Sequence, residues 1–217
     1  LFHRFGRPLV LSGLSFGADM ALQVAARVPE LVRRVVCMSG FYDIPSNYAL
    51  LNRHMRARVP RPLLWLSDLL GEHNAVGYIY KLYVAGFYGM IAYDCHVSYP
   101  CVPSVLIGPR DVLGSALLYD VWFGLATVAD MSRCVASFRD AATALVPPAS
   151  ISVPVDFFAG AHDLMANQAV LDAYVVRLQA PAKRVRIFER STHFLVLEEP
   201  DAFHAAMREI ARTCDAP

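Results

Sequence analysis

The chain has 217 residues, with 20 Lys and Arg against 19 Asp and Glu, for a formal net charge of +1. That balance, without any cluster of Lys and Arg, gives no electrostatic footprint for nucleic acid. Hydrophobic residues at 56% and charged residues at 18% exclude a disordered chain, and the length suits one domain with room for an insertion.

In chain order, residues 8–12 (PLVLS) predict a short buried strand. A Gly-bounded turn follows, then a helix to about residue 28 that Pro29 and Glu30 close. Residues 34–39 (RVVCMS) predict a second strand. Strand, helix and strand in so short a stretch make a βαβ unit, which implies a parallel sheet. From residue 44 to residue 149 the texture changes to scattered Pro, short helical patterns and dense aromatics. Nine of the ten tyrosines lie between Tyr42 and Tyr119, eight of them in this block, which also holds both tryptophans, Trp65 and Trp122. This block predicts an inserted, mainly helical lid with its own small aromatic core and some aromatics facing a ligand pocket. Alternating elements then return: a strand over 153–159 (VPVDFFA), a helix over 167–179 and a strand over 184–188. Pro200 opens a terminal helix to about residue 213, with Pro at a first-turn position where its missing N–H costs nothing. The expected organisation is a core from 1–43 and 150–217 interrupted by a lid over 44–149.

A spanning helix needs about 20 apolar residues, and the most apolar stretch, residues 82–93, is too short and lies between Lys81 and Asp94. No membrane span is expected. Cys37, Cys95, Cys101, Cys134 and Cys214 are odd in number and scattered, which predicts reduced, largely buried thiols. Cys95-His96 with Cys101 matches no common zinc spacing. With no leader-like segment ahead of the first strand, these thiols predict a cytoplasmic location.

Gly13-Leu14-Ser15-Phe16-Gly17 lies between the first strand and its helix. A nucleophile there needs a very sharp turn, which glycines two before and two after would relieve. The turn lifts the Ser15 hydroxyl clear of the sheet and presents it to the N–H groups and positive dipole of the helix. Ser12, inside the strand, is the poorer candidate. A serine hydroxyl is a weak nucleophile unless a base takes its proton and an acid orients that base. Asp163 follows the strand over 153–159, and His193 follows the strand over 184–188, so all three leave the C-terminal ends of parallel strands. Asp43 is a rival acid and His162 a rival base, although neighbours in a turn usually diverge; His162 is expected to face solvent or to stand behind the residues that touch substrate. His3, His54, His73, His96 and His204 have no acid or nucleophile in matching context.

The elbow, Gly160-x-x-Asp163 and the His193 loop together resemble the α/β-hydrolase superfamily, in the chain order Ser, Asp, His. Within it, the last third resembles the proline iminopeptidase group of serine peptidases, on VPVDFFAGAHD and LDAYVVRLQAPAKRVRIFERSTHFLVLEEPDAF. The resemblance implies an α/β fold, mostly parallel, with an inserted helical lid. It also implies acyl transfer through a covalent ester, with Ser15, Asp163 and His193 catalytic and the Phe16 N–H in the oxyanion hole. Neither cofactor nor metal is implied, and the partner would be a small-molecule or short-peptide substrate. The chain departs from the pattern in starting fourteen residues before Ser15, without the early strands or an HG-type oxyanion loop. The expectation is therefore a fragment of a longer hydrolase. Three functions compete: an aminopeptidase, with Glu72, Glu198 or Glu199 to hold the free amine; a carboxylesterase for apolar acyl groups; and a non-catalytic hydrolase-like domain.

Overall fold

The computed structural model describes residues 6–70 and 146–215. Two compact units divide the chain, one made of Leu1–Leu50 and Leu145–Pro217 and the other of Leu51–Ala144. Most of the expected lid, with Cys95, His96, Cys101 and Cys134, lies outside the described residues.

The first unit is built on a sheet of four parallel strands in the order β1-β2-β3-β4: β1 Leu9–Leu14, β2 Val32–Met38, β3 Val155–Gly160 and β4 Lys183–Phe188. Helix α1, Phe16–Arg27, and a 3-10 turn, Pro29–Leu31, connect β1 to β2. Helix α2, Ile44–Arg58, follows β2 and carries the chain into the second unit, where α3, Arg61–Leu70, follows. Helix α4, Gln168–Arg177, joins β3 to β4, and the short α5, Leu195–Glu198, precedes α6, Pro200–Asp215. Two βαβ halves thus sit side by side. Pairing of β2 with β3, from Val35↔Val155 to Met38↔Phe158, joins them across the long intervening segment.

Alternation along the inner strands builds a core on each face, as a period of two requires. Val35, Cys37, Val155, Phe157 and Ala159 meet Ala18, Leu22 and Ala25 of α1 and Leu171 and Tyr174 of α4. Val36, Met38, Phe158 and Phe188 meet Leu195, Ala206, Ile210 and Cys214 on the other face. Small residues on α1 let that helix approach the sheet closely. The two end strands are less covered: Val10 and Ser12 of β1 are exposed, and β4 shows Lys183, Arg184 and Val185 to solvent. Charged side chains suit an unpaired edge.

One buried charge was not legible in the sequence. Asp156 points to the α6 face of β3, where Arg34 Nη1 and Arg184 Nε reach it at 2.6 and 2.7 Å from the neighbouring strands. Cys37 and Cys214 are free and buried, as expected of structural thiols, and burial pushes the Cys37 thiol well above its ordinary pKa. Among the described residues no helix is long and apolar enough to cross a membrane.

Candidate active site

Ser15 stands between β1 and α1 with φ 57° and ψ −128°, a backbone region that costs a non-glycine residue about 1–3 kcal/mol. The turn is fixed by Ser15 N–H donating to the Met38 carbonyl at 2.8 Å and by Ala18 N–H donating back to the Ser15 carbonyl at 2.9 Å. The two elbow glycines differ in their reason. A Cβ on Gly13 would lie 2.1 Å from the Gly17 carbonyl oxygen, so only glycine fits there. A Cβ on Gly17 would meet no described atom within 4 Å. Of the crowding expected at both positions, the described residues outside the helix supply it at the first.

Asp163 lies in the turn after β3 and is buried. Its Oδ1 accepts the N–H groups of Met165 and Ala166 at 2.9 and 2.8 Å, which leaves Oδ2 aimed at His193. His193 Nδ1 is 2.9 Å from Asp163 Oδ2, and His193 Nε2 is 2.9 Å from Ser15 Oγ. A carboxylate only accepts hydrogen bonds, so Nδ1 carries the proton and Nε2 is left to accept from the serine hydroxyl. Three residues spread over 178 positions thus form one hydrogen-bonded line.

The His193 loop is tied down on two sides. Toward the acid turn, His162 N–H donates to the Ser191 carbonyl and Ala161 N–H to that of Phe188, both at 2.9 Å. The approach is so close that a Cβ on Gly160 would lie 2.1 Å from the Thr192 carbonyl oxygen. Toward α5, Glu198 accepts from Thr192 N–H at 2.6 Å and Thr192 Oγ1 at 2.7 Å. Glu199 accepts from Arg190 N–H at 2.9 Å and Ser191 Oγ at 2.6 Å. Two of the glutamates weighed as amine anchors, Glu198 and Glu199, hold the histidine loop; Glu72, the third, lies outside the described residues.

The rival acid and base have other places. Asp43 caps α2, accepting from Ser46 N–H at 3.0 Å and Ser46 Oγ at 2.9 Å, which is ordinary N-terminal chemistry for an aspartate. The His162 side chain is exposed.

Sequence reasoning missed the loop between β2 and α2. Asp19 of α1 is buried and accepts the N–H groups of Phe41 and Tyr42, each at 3.0 Å. Burial raises the Asp19 pKa above its ordinary value, against the lowering effect of those hydrogen bonds. Asn47 of α2 donates to the Phe41 carbonyl at 2.5 Å and accepts Asn167 N–H at 2.7 Å, at the cap of α4. The sole signal for this in the sequence is an aspartate among the small apolar residues of α1.

No family model matches the chain. A curated protein of Bacillus subtilis (strain 168), the probable aminopeptidase YbaC, is 25% identical over 224 residues, covering 98% of this chain and 68% of that protein. The solved structure of VinJ superposes with a TM-score of 0.61 at 19% identity, covering 98% of this chain and 69% of the other. The proline iminopeptidase of Mycobacterium smegmatis gives a TM-score of 0.59 at 16% identity, covering 99% and 68%. The fold is that of the α/β-hydrolases.

Proposed function

We propose that the chain is a serine hydrolase in which Ser15, His193 and Asp163 form the catalytic triad. The unbroken line of two 2.9 Å contacts through the His193 ring carries this reading. His193 Nε2 takes the Ser15 proton as Oγ attacks an ester or amide carbonyl. The resulting oxyanion lies toward the N-terminus of α1, whose positive end and Phe16 N–H are on the side of the Ser15 hydroxyl. His193 then gives the proton to the departing alcohol or amine, leaving an acyl ester on Ser15. Water, deprotonated by the same nitrogen, attacks that ester and frees the acid. Asp163 stays ionised, holds the imidazole tautomer and stabilises the imidazolium.

The first substrate class is a short peptide with a free N-terminus, cleaved after a small residue such as proline. The aminopeptidase relative and the proline iminopeptidase structure support this reading. A carboxylesterase reading draws on a separate observation: Glu198 and Glu199 are engaged by their own loop. Prolyl and alanyl arylamides assayed beside short-chain aryl esters decide between them. The peptidase reading predicts arylamide cleavage that is lost on N-acetylation of the substrate. Ester cleavage alone would replace it with the second reading, and turnover of either by Ser15→Ala at the wild-type rate would remove the triad.

A further inference from the structure

Three non-glycine residues with positive φ are found among the described residues: Ser15, and then Ser39 and Tyr42, at 46° and 55°. The last two belong to the loop between β2 and α2, where the buried Ser39 hydroxyl also has no hydrogen-bond partner among the described residues. A fold tolerates such costs where something else fixes the local geometry. Here both sides of one residue are clamped, the Phe41 N–H by Asp19 and the Phe41 carbonyl by Asn47. The Tyr42 ring anchors the loop from below, stacked on Tyr174 at 5.0 Å and 9°.

The clamped residue carries an aromatic ring onto the imidazole. The Phe41 and His193 centroids are 5.9 Å apart with an interplanar angle of 26°, while Phe194 meets the same imidazole edge-on at 5.4 Å and 85°. One aromatic covers a face of His193 and the other crosses it nearly at right angles. A phenyl face is electron-rich and attracts a cation within about 6 Å.

We propose that Phe41 is a positioning residue for His193, its ring holding the imidazole in the plane of Asp163 and Ser15 and lending a π face to the charge the imidazole gains in each proton transfer. Asp19 and Asn47 act through it. The proposal rests on the hydrolase reading above. Among the described residues, Asp163 touches His193; Asp19 under the Phe41 backbone and Glu198 under Thr192 are charged groups at one remove.

Titration of the His193 imidazole by NMR tests this without turnover, with fluorophosphonate labelling rates taken across pH on the same proteins. Phe41→Leu is expected to lower the imidazole midpoint by about half a pH unit and slow labelling about two- to fivefold, as loss of one cation–π contact implies. The acid limb of the labelling profile moves down with it. Phe41→Tyr should restore both. Replacing Phe41 by pentafluorophenylalanine keeps the shape but inverts the ring quadrupole, so it should lower the midpoint at least as far even if the leucine variant folds poorly. Wild-type labelling together with an unchanged midpoint in the fluorinated protein would overturn the proposal and leave the hydrolase reading standing. A midpoint that follows residue 41 in a wild-type protein that takes no label would support the positioning of His193 and sink the hydrolase reading.

Discussion

At the scale of single residues, the site is set by which polar groups are already committed. Asp163 and Asp43 both follow a strand of the parallel sheet, yet one spends an oxygen on His193 and the other caps a helix. Spacing reveals that an aspartate follows a strand; it does not reveal which N–H groups will surround it. The elbow and the order Ser15, Asp163, His193 were legible because each has a local signal, a glycine under a sharp turn or a polar side chain in the turn that follows a strand. The commitments of Glu198 and Glu199 were not, since they depend on the path of the Arg190–His193 backbone. Asp163→Asn keeps the shape but offers Nδ1 a donor in place of an acceptor, and so favours the wrong tautomer. Activity on the preferred substrate should fall by about four orders of magnitude, measured as kcat/KM, with thermal stability close to wild type.

At the scale of elements, the candidate site residues are held by segments that read as plain connections. Residues 39–43 and the four-residue α5 have no periodicity to reveal them. Their structure comes from distant partners: Asp19 for the first, and Thr192 facing Glu198 for the second. The strands and long helices, by contrast, follow from hydrophobic period and from Pro29 and Pro200. Asp19 supplies a pH prediction at this scale. Its folded pKa is raised by burial, so the folded state binds a proton where the unfolded chain does not. Stability linked to Asp19 therefore rises as pH falls through its folded pKa toward about 3.9, the value for a solvated aspartate. Asp19→Asn removes that gain. Urea unfolding at pH 7 and pH 4.5 should show the wild type improving relative to the variant at the lower pH; the opposite trend would contradict the assigned cause.

Across the whole molecule, the site exists only when two βαβ halves are joined. Ser15 belongs to the first half, Asp163 and His193 to the second, and the β2–β3 pairing brings them together. The parallel sheet was legible from the alternation of strands and helices. The neutralised charge at its centre was not, because Asp156 reads as a polar interruption in VPVDFFA until Arg34 and Arg184 arrive from adjacent strands. Breaking a buried pair costs about 3–5 kcal/mol, and the lower end applies because Arg184 is 43% exposed. Asp156→Asn should therefore destabilise the fold by about 3 kcal/mol. Labelling at Ser15 should disappear at the same urea concentration as the far-UV circular dichroism, since the halves cannot separate and keep the triad.

The central claim is that Ser15 is a nucleophile activated by His193. Its most direct test is mass spectrometry of the chain after exposure to a fluorophosphonate. A single adduct is expected on the peptide containing Ser15, lost in Ser15→Ala and strongly slowed in His193→Ala. An adduct on another serine, or labelling of Ser15 that is indifferent to His193, would contradict it.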